Sequence, residues 1–229
     1  MKNQKRGVLR PAEFAEQKLL TGILDGTYPV GSFLPSERDF AVKIGVTRAT
    51  FRETLQRLAR EGWITIKHGR PTRVNDYWNA GGLGMLATLT RYGKFLPKGF
   101  LFHLIEVRNN MLPDIAELAV LKASDKIIEY LKNHPKLKDN APAFVKFDWE
   151  LHMLMVKLSG NPIFSFIFND FESIYTMMTL KHFKIEKARE LAKNYYKELL
   201  DTIELGHEAV GKLIKSRLKK SGEIWKGLT

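Results

Sequence analysis

Residues 46–63 read VTRATFRETLQRLAREGW, and two hydroxyls and two guanidinium groups crowd the start of this segment, at Thr47, Arg48, Thr50 and Arg52. A guanidinium group presents a fork of donors that matches the O6/N7 edge of guanine or a phosphate group. A threonine hydroxyl can donate a hydrogen bond to a phosphate oxygen. Since Arg48 and Arg52 are four residues apart, a helix would place both on one face. The segment is therefore a candidate for nucleic-acid recognition, and an ordinary solvated helix face is the alternative.

The residues around this segment predict a winged helix-turn-helix domain. After a first helix with apolar residues at helical spacing, Ser36 and Asp39 form the capping box of a short second helix that ends at Gly45. Thr47 caps a third helix. The apolar stripe of that third helix lies opposite the two arginines and comprises Phe51, Leu55 and Leu58. Alternating residues in WITIKHGRPTRV then predict a β-hairpin with its turn at residues 68–71.

In a helix-turn-helix protein, the second helix of the motif lies in the major groove, and its first residues meet base edges and phosphates. Arg38 opens the preceding helix and could contact the DNA backbone. The predicted hairpin tip carries Gly69, which permits close approach to a narrow groove, and Arg70, whose charge such a groove attracts. For His68 at the same tip, a simple hairpin turn explains the residue equally well.

The charge of the chain favours a polyanionic partner. The 229 residues include 37 Lys and Arg against 25 Asp and Glu, which gives a formal charge of +12. Residues 1–76 hold 14 of the basic and 8 of the acidic residues, so the basic density peaks in the N-terminal third. Nucleic acid, an anionic membrane and phosphate-bearing ligands are the partners that such a charge attracts.

The sequence also disfavours several classes of protein. It contains no cysteine, which excludes disulfides and thiolate metal sites. No apolar run reaches the length of a membrane span, and the N-terminus has no apolar signal region. No nucleophile elbow and no Gly-rich phosphate loop is found, so we do not expect an enzyme. We expect a cytoplasmic protein without a membrane partner.

A cluster of Asn, Asp and Gly in VNDYWNAGGLG, residues 74–84, marks a change of pattern from mixed helix and strand to helix alone. We therefore predict a mainly α chain with a winged helix-turn-helix domain over residues 1–76, a linker over 77–84 and an antiparallel helical bundle over 85–229. The predicted helices of the second part span 83–93, 98–122, 124–133, 143–159, 162–183, 186–205 and 207–227. Pro113 should kink the second of these or mark a boundary.

A resemblance to a known family is strongest in residues 33–74, FLPSERDFAVKIGVTRATFRETLQRLAREGWITIKHGRPTRV. Its P-S-E-R helix start, G-V-T-R turn and L-x-x-L-x-x-x-G-W helix end resemble, in combination, the DNA-binding domain of GntR-family bacterial transcription regulators. The segments SGNPIF at 159–164 and SGEIW at 221–225 resemble the FadR group of that family, the regulators of fatty-acid metabolism. The resemblance implies that DNA is contacted by Arg38, Thr47, Arg48, Ala49, Thr50, Arg52, His68, Gly69 and Arg70.

Two of these positions depart from the pattern of the group. Ala49 stands where the group has a hydroxyl residue, and its methyl group can still meet a thymine methyl group. Arg70 stands where the group has lysine, which keeps the charge and changes the geometry. We expect a related operator with an altered preference at one or two base pairs.

The same resemblance implies an effector for the helical domain, a long-chain acyl-CoA that releases a homodimer from double-stranded operator DNA, with no other cofactor. The matching ligand-binding positions are Arg108, Tyr175, Tyr195, Ser221 and Trp225. Each buried CH₂ contributes about 0.8 kcal/mol, so a fatty chain is a favourable ligand for a bundle interior. The basic tail could pair with CoA phosphates or form a solvated helix face, and it comprises Lys215, Arg217, Lys219 and Lys220.

The sequence DWELH leaves a rival interpretation open, because it places Asp148 and His152 four residues apart on one helix. Another GntR subgroup uses D-x-x-x-H with two later histidines to bind a metal that captures carboxylate effectors. Those histidines align near Tyr196 and Leu218, and neither side chain replaces imidazole. We therefore expect no metal and assign His152 to the lipid pocket or to a buried polar contact. A GntR regulator that responds to a small carboxylate, with or without metal, remains the alternative function.

Overall fold

The computed structural model describes residues 9–82, 84–92, 95–97 and 99–226, with the side chains of 87, 90, 101, 173 and 220–226 outside that description. The chain divides into two compact units, residues 1–97 and 98–229. Within the described residues, no helix has the uninterrupted apolar length that a bilayer crossing needs.

The first unit contains the helices α1, Pro11–Leu24; α2, Glu37–Ile44; α3, Arg48–Arg60; α4, Tyr77–Ala80; and α5, Gly84–Arg91. Its strands are β1, Ile64–Thr65, and β2, Arg73–Val74. Helices α1 and α2 both pack on α3, and the rings of Phe40 and Phe51 stack with their centroids 4.5 Å apart. The buried stripe predicted for the third helix is confirmed, because Phe51, Leu55 and Leu58 are at most 2% exposed.

Local signals in the sequence set the limits of α2 and α3. Ser36 accepts a hydrogen bond from the amide of Asp39, as the predicted cap requires. Gly45 ends α2 at a φ of +74°, a left-handed conformation that glycine adopts without strain. Thr47 then caps α3 by accepting from the Thr50 amide at 3.1 Å. The predicted turn between the two helices is therefore confirmed.

The wing is a short antiparallel ladder. Ile64 pairs with Val74 and Thr65 with Arg73, as the predicted hairpin requires. An isolated bridge from Phe33 to Arg73 adds a third chain segment to this ladder. The turn contains Gly69 at a φ of +68°, so its backbone conformation explains the glycine.

The segment that the sequence predicts as a linker is partly helical. Asp76 caps α4 by accepting from the amide of Asn79 at 3.2 Å. Tyr77 is buried, and its ring lies 5.0 Å from that of Trp63. Residues 84–91 form α5 within the first unit, whereas the prediction assigned residues from 85 onward to the second domain. The domain limits stay a prediction.

The second unit is a helical bundle built from α6, Phe100–Leu131; α7, Ala141–Leu158; α8, Pro162–Phe183; α9, Glu186–Ile203; and α10, His207–Lys226. Helix α6 packs on α7, α9 and α10, and α7 packs on α8. Its fully buried core includes Leu112, Ile115, Phe144, Phe168 and Tyr196. The predicted mainly α architecture, a winged helix-turn-helix followed by a helical bundle, is confirmed.

Helix α6 contains a proline, Pro113, and one break in its regular geometry, at Ala123. Pro113 lies inside the helix, and the residue with non-helical backbone angles is Ala123, at a φ of −159° and a ψ of 50°. Ala123 falls between the predicted helices 98–122 and 124–133, so the break was placed correctly. Of the two outcomes expected for Pro113, a kink or a helix boundary, the boundary is not seen, because the helix continues through this residue.

Candidate functional site

The N-terminus of α3 is an exposed, hydroxyl-rich edge. The hydroxyls of Thr47 and Thr50 lie 2.9 Å apart, and the first turn of α3 contains no acidic residue. The free amides at this helix end carry partial positive charge, so nothing in the turn opposes an approaching phosphate. Ala49 is exposed between the two threonines.

Two arginines extend this edge, and at 100° per residue they lie beside the buried stripe rather than opposite it as predicted. Arg48 is 69% exposed at its side chain, and its Nε lies 3.3 Å from an Oε2 of Glu37. Arg52 is exposed and lies one turn further along α3. Both guanidinium groups therefore lie at the surface, and the ion pair between Glu37 of α2 and Arg48 of α3 orients that of Arg48.

The remaining predicted DNA contacts also lie at the surface of the first unit. Arg38 is exposed in the first turn of α2, where the polypeptide leads toward α3. His68, Gly69 and Arg70 are exposed at the wing tip. All nine predicted positions therefore lie on α2, the start of α3 or the wing, and their contact with DNA stays a prediction.

The second unit contains a partly open cavity of about 140 Å³. The residues of its wall come from α6, α7, α8, α9 and α10. Apolar groups make up much of the wall, including Ile105, Met178, Phe183, Leu191, Ala192 and Leu218. The polar groups of the wall are Arg108, Asn109, Asp148, His152, Tyr175, Thr179, His182, Tyr195 and Arg217.

Asp148 is the centre of a buried hydrogen-bonded cluster in this wall. One of its oxygens accepts from the hydroxyl of Tyr196 at 2.9 Å, and the other accepts from the hydroxyl of Tyr175. The second oxygen also lies 3.5 Å from Nδ1 of His152. Burial and the negative charge of Asp148 raise the pKa of both tyrosines, so both hydroxyls stay protonated and keep donating.

Arg108 joins this cluster from α6. The side chain is buried, with 7% of the residue exposed, and its Nη2 lies 3.0 Å from Nδ1 of His152. Its Nη1 donates to Oδ1 of Asn109 at 2.9 Å, and the guanidinium lies 4.7 Å from the centre of the Tyr175 ring. Because a guanidinium can only donate, the facing nitrogen of His152 must be unprotonated.

The electrostatics of the cavity agree with that assignment. The pKa of His152 is lowered to about 4, mainly by burial; the charge of Asp148 acts in the opposite direction, and the charge of Arg108 contributes to the lowering. His152 is therefore a neutral acceptor at neutral pH. Burial also lowers the pKa of His182, another residue of the wall.

The predicted ligand-binding residues meet in this wall where the structure describes them. Arg108, His152, Tyr175 and Tyr195 all line the cavity, although their sequence separations are large. The side chains of Ser221 and Trp225 lie outside the described residues. Their assignment as ligand-binding residues stays a prediction.

Several residues of the wall were missed or given another role. The sequence raised Asp148 as a metal ligand, and the structure places it instead as an acceptor for two tyrosines. Arg217 was assigned to a solvated tail or to CoA phosphates, and it lies 5.6 Å from the Tyr195 ring with Nη2 donating to the Leu191 carbonyl. His182 was not predicted, and the only signal for it was its position on the inner side of α8.

The geometry around Asp148 and His152 bears on the metal interpretation. Tyr196, at the position expected of a third ligand, donates its hydroxyl to Asp148. Leu218, at the position of a fourth, adds an apolar side chain to the wall. Across the described part of the chain, no three His, Cys, Asp or Glu residues are grouped so that they could hold a metal ion.

Known proteins with similar sequences cover almost the whole chain. The model of the gntR family of bacterial regulatory proteins matches residues 11–74, and that of the FadR C-terminal domain matches residues 75–229. The fatty acid metabolism regulator protein of Erwinia tasmaniensis is 37% identical over 219 residues, which is 95% of this chain and 92% of the relative. The protein of the same name from Klebsiella pneumoniae is 38% identical over 216 residues, covering 94% and 90% of the two chains.

A solved structure supports the fold alone. Lar, which controls expression of the Listeria monocytogenes agr system, superposes with a TM-score of 0.56 at 15% identity, over 98% of this chain and all of the other. The two family models and the two fatty acid metabolism regulators establish the family of the chain as well as its fold. The chain belongs to the GntR family of bacterial regulatory proteins and carries its FadR-type C-terminal domain.

Proposed function

We propose that this protein is a transcription regulator of fatty-acid metabolism that binds operator DNA as a homodimer and is released by a long-chain acyl-CoA. The observation that carries the DNA-binding half is the exposed edge at the start of α3, where two hydroxyls, two guanidinium groups and free helix amides face outward. The names of the relatives support fatty-acid metabolism as the regulated process.

The chemistry of this edge suits a duplex. Amides and hydroxyls at the start of α3 would hold phosphate oxygens and fix the register of the helix. Arg48 and Arg52 would reach guanine edges or the backbone, and the wing arginine Arg70 would enter the neighbouring minor groove. Two copies of this edge, related by a twofold axis, would read the two halves of a palindrome.

The cavity of the second unit is the proposed effector site. At about 140 Å³ it is smaller than the roughly 300–1,000 Å³ of pockets that hold drug-sized ligands. A long acyl chain would therefore have to part the helices that form the wall. Burying its CH₂ groups would provide about 0.8 kcal/mol each toward that movement. Such an expansion gives the effector a physical means of changing the protein.

A gel-shift experiment tests both halves of the proposal. A palindromic duplex from the promoter of a fatty-acid gene should be retarded by the protein and freed by a long-chain acyl-CoA. Arg52→Gln should weaken binding by about 1–3 kcal/mol, which is roughly fivefold to 150-fold. Arg60→Gln, at the other end of α3, is the matched control and should bind like the unaltered protein. Retention of the complex at saturating acyl-CoA would reject the effector half, and equal effects of the two substitutions would reject the proposed reading edge.

The small volume of the cavity and its buried guanidinium favour a second candidate, a GntR regulator that responds to a small carboxylate. Release of the operator by a short-chain acid and not by any acyl-CoA would establish this alternative. The carboxylate could bind with or without a metal ion. Calorimetry with zinc or nickel separates these two cases, because tight one-to-one binding would identify a metal-assisted site.

A further inference from the structure

We propose that the outer face of the wing sheet is a further DNA-contacting surface, which binds the sugar-phosphate backbone of a duplex beside the minor groove. The wing sheet comprises residues 31–34, β1 and β2, and the contacts are assigned to Phe33 and Arg73. The proposal rests on the proposed function in one respect, that the wing tip enters the minor groove. Both residues lie outside the nine predicted DNA contacts.

Three chain segments form the wing sheet and determine its two faces. Residues 31–34 pair with β2 through backbone hydrogen bonds of 2.8–2.9 Å, and β2 pairs in turn with β1. Since residues directly opposite each other in an antiparallel ladder point to the same face, Phe33, Arg73 and Thr65 share one face. The other face belongs to the core and comprises Leu34, Ile64 and Val74.

Phe33 leaves an aromatic ring at the surface of this face. The residue is 61% exposed, whereas Phe40 and Phe51, which stack on each other in the core of the same unit, are at most 2% exposed. A single exposed apolar side chain is common on protein surfaces and needs no partner. The residue that lies directly across the ladder from Phe33 gives the ring a context.

Arg73 places an oriented guanidinium next to this ring. Its Nε donates to the carbonyl of Gly31 at 3.2 Å, which directs the group across the sheet. Among the described residues, Arg73 forms no ion pair, so its charge is available to a partner. Thr65 already donates its hydroxyl to Oδ1 of Asn75 at 2.7 Å. The face therefore offers one cation and one ring.

The charge around this face favours an anionic partner. Residues 62–75 hold both strands and the turn, and they include Lys67, Arg70 and Arg73 but no acidic residue. Residues 26–35 lead through the third segment and contain no charged residue. Charges of a single sign attract a polyanion. A second copy of the same face would instead bring like charges together, which is unfavourable.

The distance from the wing tip to Arg73 fits the depth of a DNA groove. Arg73 follows Arg70 by three residues, which is at most about 10 Å of extended chain. The minor groove is about 7.5 Å deep. With Arg70 near the floor of the groove, Arg73 would therefore lie near its rim and pair with a phosphate there. The ring of Phe33, about 4.8 Å further across the sheet, would pack on an adjacent sugar.

The salt dependence of DNA binding tests the guanidinium. The full-length protein is titrated, with fluorescence anisotropy as the readout, into the palindromic promoter duplex and into a random duplex of equal length. Arg73→Gln should weaken binding to both duplexes alike, by roughly fivefold to tenfold at about 0.1 M salt. It should also make the slope of log K against log salt shallower by about 1, because one phosphate contact is lost.

Two further variants separate charge from structure. Arg73→Lys should keep the slope, because the charge remains although the hydrogen bond from Nε to Gly31 is lost. Arg60→Gln removes the same charge at the far end of α3 and should leave the slope unchanged. An unchanged slope in Arg73→Gln, or an equal change in Arg73→Lys, would overturn the phosphate contact.

Phe33→Ser tests the ring. Binding to both duplexes should weaken by roughly threefold to tenfold without a change of slope, because apolar contact area is lost and charge is not. Phe33→Tyr should bind like the unaltered protein. Because Phe33 is largely exposed, thermal unfolding of the serine variant should match that of the unaltered protein. Unaltered DNA binding by Phe33→Ser would reject the role of the ring.

Native mass spectrometry without DNA examines the rival partner, a second copy of the chain. If Phe33→Ser converts a dimer into monomers, the face is an interface between copies and the proposal is wrong.

The two duplexes also separate this proposal from the proposed function. Equal affinity of the unaltered protein for the promoter and random duplexes would reject the operator, and the Arg73 variants would still decide the role of the face. Specific binding of the promoter duplex that no substitution at Phe33 or Arg73 weakens would reject the face and leave the regulator intact.

Discussion

At the scale of single residues, Asp148 shows how a buried charge is accommodated in the second unit. Its carboxylate is largely removed from solvent and accepts two tyrosine hydroxyls, one from α8 and one from α9. Leaving a buried acceptor without its partner costs about 1–3 kcal/mol, and more for a charged group. Both tyrosines therefore contribute to stability, and Tyr175 also lines the cavity.

Tyr196→Phe tests this role. The substitution removes the hydroxyl at 2.9 Å from Asp148 and keeps the buried ring, so unfolding should become easier by about 1–3 kcal/mol. The matched control is Tyr195→Phe, because the Tyr195 hydroxyl forms no hydrogen bond with any described residue. It should change stability by less than about 0.5 kcal/mol. Urea denaturation measures both, and equal losses would contradict the assigned role.

A second prediction at this scale concerns His152 and the pH dependence of the free energy of unfolding. Its pKa is lowered to about 4 in the folded chain, against 6.5 in the unfolded one, mainly by burial. Between these values the unfolded chain binds a proton that the folded chain does not, so stability falls as the pH is lowered from 6.5 toward 4. The loss should reach about 3 kcal/mol, at about 1.36 kcal/mol per pH unit.

The comparison variant is His152→Gln, which lacks this titration. The difference in unfolding free energy between the two proteins should change steeply below pH 6.5 and stay constant above it. The imidazole resonance of His152, assigned by its loss in the variant, should still report a neutral ring at pH 6. A midpoint near 6.5 in that titration would contradict the neutral, buried histidine.

At the scale of elements, the sequence predicted what short-range chemistry determines. Ser36 and Thr47 are caps because their hydroxyls meet amides only a few residues away, and such pairs are visible in one dimension. The sequence placed Tyr77 in a linker. Its burial was missed because it depends on contact with Trp63, which no local pattern shows. The pairing of Arg108 with His152 joins residues from different helices and has no local signal either. The sequence nevertheless named both as candidate ligand residues, one by family resemblance and one from the D-x-x-x-H spacing.

Two adjacent glycines test the packing of α4. A Cβ on Gly81 would overlap the carbonyl oxygen of Tyr77 and the sulfur of Met85, whereas a Cβ on Gly82 would meet nothing within 4 Å. Gly81→Ala should therefore destabilise the protein by about 1–3 kcal/mol, because backbone atoms must shift. Gly82→Ala should leave stability unchanged or slightly higher. Thermal unfolding distinguishes the two, and a neutral Gly81→Ala would mean that α4 is not held as described.

At the scale of the whole molecule, the order of the two units was evident from periodicity, composition and resemblance to a family. The assembly was not, because a twofold interface leaves no pattern that a single sequence separates from ordinary surface. The proposed homodimer follows instead from the way helix-turn-helix proteins read palindromes. It is therefore a statement about stoichiometry that can be measured.

Native mass spectrometry of the protein with a palindromic operator should give two chains per duplex. A duplex with one half-site scrambled should bind much more weakly, because it retains the contacts of one subunit only. One chain per duplex at saturation, or equal affinity for the intact and half-scrambled duplexes, would contradict the dimer.

In the proposed DNA complex, Glu37 would compete with DNA for Arg48. The Arg48 side chain is mostly exposed, and its Nε already has a carboxylate oxygen at 3.3 Å. When a phosphate takes that place, one anion is exchanged for another, and the displaced carboxylate is left beside a polyanion. In that complex every stretch of DNA would meet this penalty, whereas only a matching sequence would offer base edges in return. We therefore expect the pair to lower affinity for all DNA alike and to leave the discrimination between sequences to the rest of the edge.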